Sequence, residues 1–392
     1  MGREGMNAMA ALVRRCGIAL AVLLGMVVPA TVLARPAAAD VLTLTRKVAD
    51  WQLTNGARRD LMPGSRDAVL QPRDWQQATF WVALTDLADR DPAYRAPLLA
   101  LGRQEGWRLY RRPFHADDQL IGQAWIWAAR NGAGRQALAP TIRYFEHALA
   151  NRPTTALDFI ATERQRDGTV ACTVRWCWCD ALFMAPPTLL QLAAATGDPR
   201  YAAFVHEEFQ ATKDFLYDAD ERLFYRDSRF IGRRDAEGRK IFWSRGNGWV
   251  LAGLARMIDA LPADDPARAG YVALFRDMSA RVVALQKPDG SWPTSLLDDS
   301  PSPPESSGTG FFTYAFAWGI RNDVLDRATY EPAALRGWAS IAGAVTPDGM
   351  VGWVQQVGDR PGAARAEHTQ FYGTGAFILA GVAIHDLLIS GD

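Results

Sequence analysis

The stretch Trp176-Cys177-Trp178-Cys179-Asp180-Ala181-Leu182-Phe183-Met184 sets one carboxylate, Asp180, among Trp, Cys and a run of apolar residues. Taking a carboxylate out of water disfavours its charged form and raises its pKa. An acid in this setting can hold a proton near neutral pH and donate it to a substrate. Asp is also a strong N-cap, so the same residue can serve as the cap of a helix starting at Ala181. Asp180 has counterparts along the chain: Asp117-Asp118, Arg245-Gly246-Asn247, Glu305-Ser306-Ser307 and Glu367-His368-Thr369. They recur at intervals of roughly 60 residues, which points to repeated supersecondary units.

The elements that must position these clusters follow from what flanks them. Each cluster comes after a turn-rich stretch: Trp107 to Pro113, Arg166-Asp167-Gly168, Arg226-Asp227-Ser228, Pro288-Asp289-Gly290 and Pro347-Asp348-Gly349. Gly accepts positive φ and Asp bonds its own backbone, so Asp-Gly is a turn signal with a mechanism. Each cluster then opens an apolar segment with helical spacing. Trp249, Leu251, Leu254, Met257, Ile258 and Leu261 fall mostly at steps of three and four, as do Tyr271, Leu274, Phe275, Met278, Val282 and Leu285. The pattern predicts helices near 41–56, 74–89, 92–104, 117–131, 136–150, 180–196, 199–217, 246–261, 266–287, 310–322, 330–344 and 370–388. Strand signals are weak and confined to the turns. Six helical hairpins of this length close into an all-α ring of inner and outer helices. If the polar clusters open the inner helices, carboxylates, Arg, Asn, His and helix N-termini converge at one end. Helix N-termini carry partial positive charge and free N–H groups, so that pocket suits an anionic ligand.

The 392-residue chain carries 43 Lys and Arg against 43 Asp and Glu. Zero net charge argues against a general nucleic-acid surface. The repeat runs without a linker-like break, which predicts one domain over 40–392. Residues 1–39 read as a secretory signal: Arg14-Arg15, an apolar core from Gly17 to Val32, and a small-residue cleavage site at Pro36-Ala37-Ala38-Ala39, with Ala34 as the competing site. This predicts a periplasmic or secreted protein without a membrane anchor after cleavage. Export leaves Cys172, Cys177 and Cys179, which can form a Cys172–Cys177 bridge or stay as three reduced, buried thiols.

Cys-x-Cys without a nearby His is a poor zinc pattern, and no phosphate-cradling Gly loop, nucleophile elbow or His-Glu-x-x-His occurs. The expected site therefore uses neither metal nor organic cofactor. Trp107, Trp176, Trp178, Trp243, Trp292 and Trp353 lie in or beside the turns. Flat aromatic faces suit both a core and the C–H faces of a sugar ring. For Trp292, in Pro-Asp-Gly-Ser-Trp-Pro, the loop position weighs ligand contact evenly against core packing. His368 opens the last inner helix and is the better pocket candidate among the His residues, beside His115.

Five segments resemble glycoside hydrolase family 105, the unsaturated rhamnogalacturonyl hydrolases, and the related unsaturated glucuronyl hydrolases of family 88. They are Asp117-Asp118-Gln119-Leu120-Ile121-Gly122-Gln123, Trp178 through Pro187, Phe242-Trp243-Ser244-Arg245-Gly246-Asn247-Gly248-Trp249, Glu305-Ser306-Ser307-Gly308-Thr309 with Phe311-Phe312, and Thr369 through Phe377. The resemblance implies an (α/α)6 barrel. It also implies an oligosaccharide substrate ending in a 4,5-unsaturated uronate, the product of a polysaccharide lyase. A carboxylic acid protonates C4 of the enol ether and water adds at C5. The hemiketal then opens and expels the aglycone. The acid that matches is Asp180, which also fits the general-base role toward water. The second carboxylate falls on Asp117-Asp118, with Asp117 favoured over Asp118. Trp178, Trp243, Asn247 and Trp249 match positions around the sugar, and Arg245 would face the uronate carboxylate, where a bidentate guanidinium is well suited. The chain departs from many members after Leu223-Phe224-Tyr225. It carries Arg226-Asp227-Ser228-Arg229 where they carry a His, which puts Arg226 among the substrate contacts and leaves the neighbouring sugar open. The competing readings are an inverting glycosidase acting on saturated glycosides and a periplasmic oligosaccharide-binding protein.

Overall fold

A computed structural model of the chain describes residues 35–56, 58–62, 71–159 and 174–391. The Arg166-Asp167-Gly168 turn, Cys172 and most of the predicted signal lie outside the described residues. The helices in chain order are α1 (Ala38–Asn55), α2 (Trp75–Ala88), α3 (Arg95–Glu105), α4 (Gly122–Ala128), α5 (Ala139–Ala150), α6 (Ala181–Met184), α7 (Pro186–Thr196), α8 (Pro199–Leu216), α9 (Ser244–Ala260), α10 (Arg268–Val283), α11 (Ser306–Arg321), α12 (Arg327–Gly343) and α13 (Phe371–Ile389). The described strands form a single small hairpin, β1 (Tyr217–Asp218) paired antiparallel with β2 (Leu223–Phe224).

Packing sorts these helices into two rings. Going round the inside, α2 packs on α4, α4 on α7, α6 and α7 on α9, α9 on α11, α11 on α13, and α13 back on α2. Outside them, α1 lies on α13, α3 on α2 and α4, α8 on α7, α10 on α9, and α12 on α11. With α5, which leads from α4 into α6, as the sixth outer helix, this is the (α/α)6 barrel. The inner helices are apolar nearly all round: almost every residue of α9, α11 and α13 is buried, as expected of helices surrounded by protein. The helix α13 is long and apolar enough to cross a membrane, but most of it is buried in the barrel core.

Each sequence segment with helical spacing contains a helix, with two corrections. The 117–131 segment is not a single α-helix. It is a 3-10 turn at Ala116–Gln119, then α4, then a wide turn at Ala129–Ala133 that kinks at Asn131 and Gly132. The 180–196 segment is also broken, between α6 and α7, where Pro186 cannot donate a backbone N–H.

The inner helices approach closely where side chains are smallest. A Cβ on Gly253 of α9 would sit 2.4 Å from the Leu182 carbonyl and 3.0 Å from Phe183 Cα. Backbone meets backbone there, two residues beyond Asp180, so Gly253 sets how deeply the Asp180 turn seats against α9. We expect Gly253→Ala to cost about 1–3 kcal/mol through overpacking. In calorimetry this reads as a lowered Tm, and turnover should fall along with stability. An unchanged Tm would show that the close approach is not required.

Candidate active site

The inner helices begin at one end of the barrel, and the residues at their starts surround a cavity of about 300 Å³. Its walls include Trp75 at the start of α2, Asp117 in the 3-10 turn before α4, Trp178, Asp180 and Met184 around α6, and Trp243, Arg245 and Trp249 at the start of α9. Arg226 enters from the loop after β2, and Val357, Gly358 and Asp359 from the loop before α13. Asp180 stands at the helix start, but its carboxylate accepts no capping hydrogen bond from α6. Its side-chain donor is Arg226, whose Nε lies 3.2 Å from Oδ2.

Burial dominates the electrostatics. Asp180 is 7% exposed. Burial pushes its pKa up to about 6, against the pull of Arg226 and Arg245 and with a push from Asp117. Burial raises Asp117 to about 7, opposed by Arg112 and Arg226 and aided by Asp118. A third carboxyl belongs to the set. Asp74 caps α2 through the Gln76 N–H, and burial together with Asp117 raises it to about 7. His115 lies beside this set, its Nδ1 3.7 Å from Asp117 and its ring tilted against Trp178 at 5.0 Å. Burial and the Arg112 charge lower its pKa to about 3, so it is a neutral imidazole.

The two adjacent carboxylates separate cleanly. Asp117 lines the cavity and no described side chain donates a hydrogen bond to it. Asp118 is buried and accepts from the Arg112 backbone N–H at 2.7 Å and from its guanidinium at 2.5 Å. The favoured member of the pair is thus the one placed with Asp180, while Asp118 holds the turn together.

Trp178, Trp243, Trp249, Arg226 and Arg245 all line the cavity as the sequence suggested. Three other expectations need correction. Asn247 spends its side chain on backbone: Oδ1 accepts from Phe224 N–H, and Nδ2 donates to the Phe224 and Trp243 carbonyls. It ties β2 to α9 and does not reach the cavity. Trp292 is fully buried, its Nε1 donating to the Val282 carbonyl and its ring packed on Phe312 and Phe316. His368 sits in the loop before α13, away from the cavity wall.

Arg245 is also placed differently from a bidentate carboxylate clamp. Its Nη1 donates to the Gln355 carbonyl and Ser307 Oγ, and its Nη2 to the Gln356 carbonyl. The guanidinium lies between the rings of Trp243 and Tyr372, 4.4 and 4.7 Å from their centroids. Among the described residues no carboxylate pairs with it, so it is a buried positive charge facing the cavity.

The sequence reading missed Asp74, Trp75 and the 355–359 loop. Asp74 is the sixth inner-helix polar start, and it was legible as an Asp directly before Trp75 and the helical pattern. Trp75 stacks on Tyr372 at 5.2 Å. Gln355 joins Trp243 Nε1, Arg245, Tyr372 and Glu305, contacts that no local pattern announces. Of the Arg-rich loop, Arg229 pairs with Asp227 and Asp359 and Arg239 with Asp235. Cys177 is disulfide-bonded, which removes the reading of three reduced thiols. Cys179 is a buried free thiol.

Acids, a buried arginine and Trp walls at one end of a barrel suit a charged sugar ligand, and sequence comparison points to carbohydrate-active enzymes. The model of Glycosyl Hydrolase Family 88 matches residues 44–388, and the chain belongs to that family. It is 37% identical to the unsaturated 3S-rhamnoglycuronyl hydrolase of Alteromonas sp. over 85% of this chain and 82% of that protein. It is 40% identical to the enzyme of the same name from Formosa agariphila over 80% and 84%. Among solved structures, a glycosyl hydrolase family 88 protein from Bacteroides vulgatus superposes with a TM-score of 0.76 at 25% identity, covering 90% of this chain and all of that one.

The raised carboxyls carry a stability consequence. Folded Asp74, Asp117 and Asp180 hold protons that the unfolded chain releases near pH 4, so the native state binds more protons between that value and about 6 to 7. Their stabilising share is complete below the unfolded pKa and is lost as pH rises through the folded one. We expect Tm to fall from pH 5 to pH 8, and Asp117→Asn to flatten that slope. Asp118→Asn should instead lower Tm at all these pH values, by losing charge-assisted hydrogen bonds of about 1.5–3 kcal/mol. Identical Tm–pH curves for the wild type and both variants would contradict this division.

Proposed function

We propose that this protein hydrolyses lyase-generated oligosaccharides, releasing a terminal 4,5-unsaturated uronate by protonation and hydration of the C4=C5 bond. The observation that carries the reading is Asp180, a dry carboxyl raised to about 6 on the wall of a Trp-lined cavity. An acid with a pKa near the working pH can both give and retrieve a proton. Asp180 donates its proton to C4. Water then adds at C5 and returns a proton to the Asp180 carboxylate, so the acid is regenerated. The C5 hemiketal opens to a ketone and the C1 hemiacetal releases the aglycone. Asp117, its pKa pushed up to about 7 by burial, repels the uronate less than an ordinary carboxylate would and can bond a ring hydroxyl. The Trp walls pack on the C–H faces of the ring. Membership of Glycosyl Hydrolase Family 88 supports the same chemistry. The relatives named as rhamnoglycuronyl hydrolases make a rhamnose-linked unsaturated uronate the first substrate class to test.

The enzyme also belongs outside the cytoplasm in this proposal, where lyase products arise. The basic, apolar and small-residue succession before Asp40 supports export. The helix α1 begins at Ala38. Cleavage after Ala34 leaves that helix whole, and cleavage after Ala39 trims its first two residues. Sequencing the N-terminus of the protein from its native host should find a start at Arg35 or Asp40. A protein retaining Met1 in the cytoplasm would refute export.

The catalytic assignment is tested through the ultraviolet absorbance of the conjugated double bond. Asp180→Asn keeps the shape but cannot supply the proton, and should slow loss of that absorbance by at least about a hundredfold. At pH 5, where Asp180 is itself mostly protonated, the Tm of this variant should stay near the wild-type value. Near-normal turnover in this variant would remove Asp180 from the mechanism. Turnover of saturated glycosides but not unsaturated ones would favour the inverting glycosidase instead.

A further inference from the structure

Two guanidiniums line the cavity, Arg226 and Arg245, and their commitments differ. Arg245 is 1% exposed. Both its terminal nitrogens donate to protein acceptors, both its faces are covered by aromatic rings, and its Nε–H is buried without a partner. It cannot turn toward a ligand without releasing the 355–356 loop. Arg226 is anchored at one end only. Its Nη1 donates to Asp227 at 2.6 Å, and its guanidinium rests on the Phe159 ring at 5.0 Å. Asp227 is itself fixed by Arg229 through two side-chain bonds and the Arg229 backbone N–H. The remaining edge of Arg226 reaches Asp180 through Nε at 3.2 Å, long for a charge-assisted bond. Among the described residues nothing accepts from Nη2.

Building on the proposed reaction, we infer that Arg226, rather than Arg245, takes the uronate carboxylate, and that it exchanges Asp180 for the substrate when it does so. The Asp227 anchor and the Phe159 face fix the plane of the guanidinium. Its Nε/Nη2 edge then offers two parallel N–H groups to a planar carboxylate.

The exchange changes the field at Asp180. The charged or titratable groups that act on it are Arg226, Arg245, Asp117 and the Cys179 thiol. Around Arg226 stand Asp180, Asp227 with its partner Arg229, and Cys179, and its charge also reaches Asp117 and His115. A uronate on Arg226 neutralises the nearest cation to Asp180 and adds an anion beside it. Both changes raise the proton affinity of Asp180. The substrate's own charge thereby keeps the acid protonated in the occupied site.

The experiment compares an unsaturated disaccharide with its uronate methyl ester, across pH, in the wild type, Arg226→Lys and Arg226→Gln. The wild type should prefer the free acid in KM, and its kcat should hold to higher pH than its kcat/KM. Arg226→Gln should raise KM for the acid by about tenfold to a hundredfold, the scale of a lost charge-assisted hydrogen bond. It should raise KM for the ester far less than for the acid and close the gap between the two pH profiles. Arg226→Lys should restore part of the preference for the acid. If Arg226→Gln keeps the full acid-over-ester preference and both pH limbs, the inference is overturned. No loss of ultraviolet absorbance with wild-type protein would instead overturn the reaction itself.

Discussion

A carboxyl group that is to give up a proton near neutrality must be kept away from water, yet stay reachable by a substrate. Desolvation is therefore the term on which this site depends. It is the leading cause of the raised pKa at Asp74, Asp117 and Asp180 alike. The barrel supplies it by placing the carboxyls at the starts of inner helices, whose bodies are apolar. Arg226 and Arg245 restrain the shift, holding Asp180 at about 6. A carboxyl shifted much further up would be a weaker donor to C4, so the two arginines matter as much as the burial they oppose.

The division between adjacent residues follows the same logic. Asp117 and Asp118 are neighbours in a 3-10 turn, and the side chains leave it in different directions. One meets Arg112, accepts from its backbone N–H and its guanidinium, and fastens the turn. The other faces the cavity, where no described side chain donates to it. Arg226 and Asp227 repeat the arrangement, with Asp227 held below the ordinary carboxylate range despite burial by Arg229 and Arg226. In both pairs a structural ion pair anchors the residue that faces the substrate.

Much of this was legible in the sequence. The apolar segments located the helices because most of them are too long for buried strands, even where an inner helix is apolar nearly all round. The polar clusters located the reactive end because they sit at helix starts, a local feature. What the sequence did not reveal is which way a side chain points once the chain is folded. Asn247 and Trp292 have the residue types of a sugar site, but their polar atoms meet the Phe224 and Val282 backbone, which approaches from elsewhere in the chain. The role of Gln355 was invisible for the same reason: its partners Trp243, Arg245, Glu305 and Tyr372 are gathered only by closure of the ring. Asp74 is different, since an Asp directly before Trp75 and a helical pattern is a local capping signal.

That closure has a kinetic side. The last helix, α13, packs between α2 and α11 and beneath α1, so the ring is sealed by pairing the two ends of the chain. Thr374 bonds Gln52, Trp51 bonds Asp348, and Arg90 bonds Asp386, each across roughly 300 residues of sequence. Contacts of such range form late, because the entropy of closing so large a loop must be met before they can stabilise anything. An emerging chain can assemble its hairpins one after another, but it cannot complete the barrel until the C-terminal helix has been made. Until then the apolar flanks of α2 and α11 that α13 covers are open, and the chain is exposed to aggregation and to proteases during that interval.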